Sequence, residues 1–220
     1  DCRTRISPRY PLVEALTAVV FLSVALAECL SGGANLPAGW RALADLGQRP
    51  GGQLVALWKI TFFHVMLLGT LLPAALIHHD GQRLPWRWAL PALVVGLLAP
   101  AAWPALHPVP AFHGLHAPWV VLVDSVCGAA CGLAGGWLAA RLAPVAQRAG
   151  VILASVLIGL YLGWQLGAAI LLAAVLLFAA MRVLRRQHDA PLPLLAWLAA
   201  TTFSGIVFWR QVIQCFPCLG

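Results

Sequence analysis

The sequence predicts an all-α fold: a polytopic transmembrane helical bundle of about seven helices. Two observations carry that expectation. Hydrophobic residues make up 61% of the 220 and charged residues 10%, which leaves too little polar surface to clothe a soluble domain of this size. The apolar residues also fall in continuous runs instead of alternating, which disfavours a membrane β-barrel and suits helices that need about 20 residues to cross a hydrocarbon core of ~30 Å.

Taken in order, the runs extend from Val13 to Leu30, Leu54 to Ile77, Trp88 to Leu106, Trp119 to Leu142, Gly150 to Trp164, Ala168 to Leu184 and Leu194 to Trp209. The first follows a basic segment with no cleavage-site pattern, so it reads as a membrane helix and not as a secretory signal. The second carries Lys59 and His64; Lys59 is expected to snorkel towards the outer surface. On the fourth, Gly128, Gly132 and Gly136 recur every four residues, and Gly159, Gly163 and Gly167 do the same beyond it. Such faces let helix backbones approach closely in lipid, and internal packing is their first reading. The fifth and sixth runs are short and joined by almost nothing, so they are expected to form a tight helical hairpin with Gln165 and Gly167 at its tip.

Cations orient the bundle, because cytoplasmic loops are enriched in Lys and Arg. With the N-terminus inside, Arg3, Arg5, Arg9, Arg83, Arg87, Arg141, Arg148, Arg182, Arg185 and Arg186 gather on the cytoplasmic side, against Arg41, Arg49 and Arg210 outside. The C-terminus is then extracytoplasmic. The formal charge of +7 is accounted for by this asymmetry, and no nucleic-acid partner is expected. Membrane lipids and other integral membrane subunits are the expected partners.

The stretch "ISPRYPLVEALT", Ile6 to Thr17, follows Cys2 after a few residues. It closely resembles the join between the zinc-binding loop and the second membrane helix of prepilin peptidases, the type IV leader peptidases. "DSVCGAACG" (Asp124 to Gly132), "LGWQ" (Leu162 to Gln165) and "APLPLLAWLA" are weaker likenesses in the same order. The resemblance implies the family's fold and a bacterial inner-membrane location. It divides the chain into a cytoplasmic remnant of the zinc-loop region at 1–12, a membrane bundle at 13–209 and an extracytoplasmic tail at 210–220. The sequence starts without a methionine just ahead of this signature, so an upstream portion is expected.

Members of that family are intramembrane aspartic proteases in which two carboxylates share a proton: one acts as base while the other, protonated, polarises the scissile carbonyl. The resemblance aligns "HHDGQRLPW", His78 to Trp86, with the stretch that bears the first aspartate, and "RAGVIL", Arg148 to Leu153, with the G-x-G-D stretch that bears the second. His78 and Val151 then stand at the two catalytic positions, with Asp80 the remaining acid of the first stretch. Both catalytic carboxylates are absent in this alignment. A structural zinc site in the family takes two C-x-x-C pairs, of which Cys2 alone is present, so no metal site is expected.

Further polar groups invite chemistry. His64 is a candidate axial ligand for a haem or chlorophyll-type pigment; a hydrogen-bonded helix contact is its plainer reading, and no cofactor is expected. His107, His113 and His116 would gather a metal or, more simply, lie solvated in a Pro-rich loop. Cys127 and Cys131 read as small packing residues. Cys215 and Cys218, in "CFPC", follow a helix instead of opening one, which favours a structural or unpaired role over redox catalysis. The sequence is therefore read as a non-catalytic, prepilin-peptidase-like subunit of a larger membrane complex. An active leader peptidase and a pigment- or haem-binding subunit are the alternatives.

Overall fold

Long apolar runs with small residues at helical spacing leave the chain little choice but to pack helix on helix. The computed structural model describes residues 9–36, 40, 52–82, 84–107, 118–184 and 192–215. The expectations placed on Cys2, Arg3, Arg5, Arg41, Arg49, Arg83, His113, His116, Arg185, Arg186 and Cys218 lie outside them.

Helix α1, Arg9–Ala25, continues as a π-helical turn over Leu26–Leu30. Its buried stripe is Val20, Val24 and Glu28, spaced four apart, while Leu12, Leu16, Val19, Leu22 and Leu26 face outward. Helix α2, Gly52–His79, is the central post. It buries residues at three- and four-residue steps along its whole length, from Leu57 and Ile60 through His64 and Leu68 to Leu71, Ala75 and His78, the pattern of a helix facing protein over a broad stripe. Helices α3, Leu90–Ala102, and α4, Pro118–Ala140, follow.

The helix written continuously as Arg148–Leu184 breaks at Gly163, whose φ of 76° and ψ of 171° belong to no helix. A Cβ on Gly167 would lie 3.0 Å from the Cα of Gly159, whereas residues eight apart on a straight helix are separated by about 12 Å. The chain therefore reverses, giving an arm α5 (148–162) and a return arm α6 (164–184). The expected hairpin is present, and its turn is at Gly163, slightly ahead of Gln165 and Gly167. Glycine is what makes a single-residue reversal affordable at positive φ.

Helices α7, Leu194–Val207, and α8, Trp209–Cys215, complete the chain. The segment from 210 onward thus begins inside a helix and is anchored: Trp209 is fully buried, and the Arg210 N–H donates to the Asn35 carbonyl at 2.9 Å.

Among the described residues there is no strand. Four stretches are long and apolar enough to cross a membrane by length and composition, Tyr10–Leu30, Gly52–His79, Trp119–Ala140 and Val145–Leu184, with shorter apolar helices at Trp86–Ala102 and Leu194–Val207. Since the fourth stretch is two arms, the apolar helical arms number seven among the described residues.

The α4–α5 contact is the closest in the bundle. A methyl group added to Gly128 would strike the Gly159 carbonyl, one on Gly159 the Gly128 carbonyl, and one on Gly132 the Ser155 carbonyl. The glycine ladders are thus an internal seam. Cys127 and Cys131 are not part of it: both are exposed on the outward side of α4. Their i, i+4 spacing placed them on one face, but that face is adjacent to the glycine face and does not coincide with it.

Candidate functional site at the arginine-bearing end

Alternating arms bring the end of α2, the end of α4, the start of α5, the end of α6 and the start of α7 to one end of the bundle. A cleft of about 710 Å³ opens there. His78, His79, Arg141, Gln147 and Arg182 give it its polar lining, and Phe178, Leu142 and Leu194 are among its apolar walls. Among the described residues that line it there is no Asp or Glu.

His78 is almost completely buried because Gly150 makes room for it; a Cβ on Gly150 would collide with the imidazole Nε2 and Cε1. Val151, the next residue, is fully buried. The two stretches singled out in sequence therefore meet in space, with an imidazole and a glycine at the contact. Gln147 Nε2 donates to the His78 carbonyl at 3.2 Å, tying α2 to the α5 start. His78 Nδ1 is buried without a hydrogen-bond partner among the described residues. Asp80 is half-exposed, 3.7 Å from His79 Nδ1. Arg141 lies over the Trp137 ring at 3.9 Å, which holds its guanidinium in place at the rim.

The opposite end contains two His–carboxylate pairs that the sequence did not announce. His64 Nδ1 lies 2.5 Å from Glu28 Oε1, both side chains fully buried. His107 Nδ1 lies 2.9 Å from Asp124 Oδ2, and its Nε2 is 3.2 Å from the Leu160 carbonyl. The rings of His64 and His107 flank Phe63, at 6.2 and 6.4 Å between centroids, and Phe63 stacks on Tyr161 at 4.2 Å.

His107 is thus not a solvated loop histidine: it is 3% exposed. Its position follows from the α5–α6 reversal. Leu160 belongs to the last turn of α5, where carbonyls lack helical donors, and His107 donates to one of them. Asp124 faces the turn, its Oδ2 3.3 Å from where a Gly163 Cβ would be, beside the start of α6. An imidazole at a helix C-terminus and a carboxylate at the next N-terminus both complement the helix dipoles. Irregular backbone at membrane depth is tolerated where protein covers it, and this pair is part of the cover.

For His64 the geometry takes the plainer of its two readings, a helix-to-helix hydrogen bond. The ring is fully buried and faces Trp209 at 6.0 Å between centroids. Its sequence signal was the histidine alone. Lys59 is half-buried with its Nζ 4.7 Å above the Trp103 ring, so an aromatic face just past the end of α3 receives the cation. No group of three or more metal-ligating side chains occurs among the described residues.

No protein-family model and no solved structure matches the chain. Two curated relatives do. The chain is 29% identical over 223 residues, 96% of its length, to a prepilin leader peptidase/N-methyltransferase of Pseudomonas putida. It is 29% identical over 225 residues, 97% of its length, to one of Aeromonas hydrophila. It spans 62% and 63% of those proteins' own lengths.

Proposed function

We propose that the chain, which is similar to prepilin leader peptidase/N-methyltransferases, does not cleave leader peptides and acts instead as a structural or accessory subunit of a membrane complex in the bacterial inner membrane. The observation that carries this reading is the cleft lining: where two carboxylates would have to share a proton, His78 packs on Gly150 beside Val151. Asp80, at the rim, supplies one acid, and one carboxyl group cannot be general base and electrophilic acid in the same step. The buried acids Glu28 and Asp124 belong to the other end of the bundle and are engaged by histidines. The degenerate positions are His78 and Val151, with Asp80 the remaining acid.

In this reading the arginine-bearing end is cytoplasmic. Outward aromatic residues such as Trp58 and Trp137, both more than half exposed, offer lateral contacts for partner helices, with Trp88 and Trp197 as further anchors near helix ends. In lipid such contacts rely on close packing and polar groups, because the hydrophobic drive between helices is weak.

The experiment is incubation of the purified chain with a prepilin substrate, together with isolation from its native membrane in mild detergent. No product at the leader junction and a stoichiometric membrane partner are expected. Cleavage that disappears in Asp80→Asn would establish the peptidase reading instead, and a chain recovered alone would remove the subunit role.

A further inference from the structure

We propose that the cleft at the arginine-bearing end binds a phosphate-bearing anion. Two arginines, Arg141 and Arg182, come from different helices and line the same space, with no acidic residue among the other described lining residues. A general excess of arginine at one membrane face accounts for their presence there; it does not account for their convergence on one cleft. His78 adds a second, independent sign. Its Nδ1 is buried with no partner among the described residues although the side chain lines the cleft, and an unsatisfied buried polar atom costs free energy that a bound group would recover.

The chemistry of these groups selects the ligand. Guanidinium forks match the paired oxygens of phosphate, with charge-assisted hydrogen bonds about twice as strong as neutral ones. The Arg141 fork is already restrained by Trp137 at 3.9 Å, so less side-chain freedom is lost on binding. A neutral imidazole presents either a donor or a lone pair at Nδ1, and the donor tautomer is the one that suits an anion. The apolar walls, Phe178 and Leu142 with Leu194, suit a phosphate that arrives attached to a hydrocarbon body. Basic pockets between membrane helices are a known setting for phospholipid headgroups. A free phosphate compound would use the same polar groups without the walls.

The test uses the full chain in lipid nanodiscs and in detergent. Retention of phosphatidylglycerol or cardiolipin against phosphatidylcholine is read by native mass spectrometry, and binding of inorganic phosphate by thermal shift. Both arginines are exposed, so Arg141→Gln with Arg182→Gln leaves the core untouched; Arg87→Gln, at the same end but outside the cleft, controls for net charge. Anionic-lipid retention that falls roughly tenfold per arginine removed, with Arg87→Gln unchanged, assigns the cleft to a lipid headgroup. A phosphate shift lost in the same pair, with no lipid preference, assigns it to a soluble phosphate compound. Equal retention of all lipids with no phosphate shift, or a preference that survives the double substitution, overturns the proposal. Leader cleavage, measured on the same preparation, bears on the peptidase question alone, so the two readings fail separately.

Discussion

Glu28 and His64 show how a single polar pair is held where water is excluded. Neither side chain is accessible, and Glu28 Oε2 and His64 Nε2 have no partner among the described residues, so each depends there on the one bond they share. A π-helical turn over Leu26–Leu30 aims Glu28 inward, its extra residue re-registering the end of α1. Removing one member leaves the other's polar groups stranded. His64→Leu is expected to destabilise the bundle by about 3 kcal/mol, and Glu28→Leu with His64→Leu by clearly less. Unfolding in mixed micelles measures both; a double variant no better than the single would show that packing, and not pairing, sets the cost. The pair was half legible: a histidine inside a membrane helix demands a partner, but choosing Glu28 required knowing that α1 and α2 run antiparallel in contact, with Cys29 Sγ 3.2 Å from Thr61 Oγ1. His107 was misread because its loop composition suggested solvent, whereas the carbonyl that recruits it, Leu160, becomes a helix end only once the chain reverses.

At the scale of elements, α4 and α5 meet backbone to backbone, and side-chain volume at Gly128, Gly132 or Gly159 has no space to enter. Gly159→Val should separate the two helices and cost about 3 kcal/mol or more, while Gly135→Ala, whose Cβ would meet only the Leu171 side chain at 3.1 Å, should cost far less. Thermal unfolding of the two variants in one detergent compares them, and equal midpoints would contradict the seam. Helix number and the glycine seam were readable because apolar length and four-residue repeats are local properties. The cleft was readable only through resemblance: His78 and Gly150 are 72 positions apart in the sequence, and no periodicity links them.

For the whole molecule, charge asymmetry makes a directional prediction. Arg87, Arg141, Arg148 and Arg182 lie at one end, with Lys59 and Arg210 towards the other. In a background from which the six cysteines have been replaced, a cysteine at Ala34 should react with a membrane-impermeant maleimide in intact cells, and one at Val145 only after lysis. The reverse pattern would invert the bundle. The partner was not legible in sequence at all, since lipid-facing and partner-facing aromatic residues have the same composition.

The reversal at Gly163 also bears on how the chain reaches its membrane. The arm 148–162 rises only about 22 Å, short of a hydrocarbon core of ~30 Å, and the turn offers no hydrophilic loop to be threaded across. The first arm is not suited to entering the bilayer without the second. They must partition together, as one wedge released sideways from the insertion machinery, with α4 already waiting, since Asp124 supplies the carboxylate that faces the bend. Synthesis order agrees, because α4 is made first. Slowing elongation between α4 and the bend would leave assembly intact, whereas moving α4 to the C-terminus by circular permutation would leave the wedge without its cover at the moment of entry.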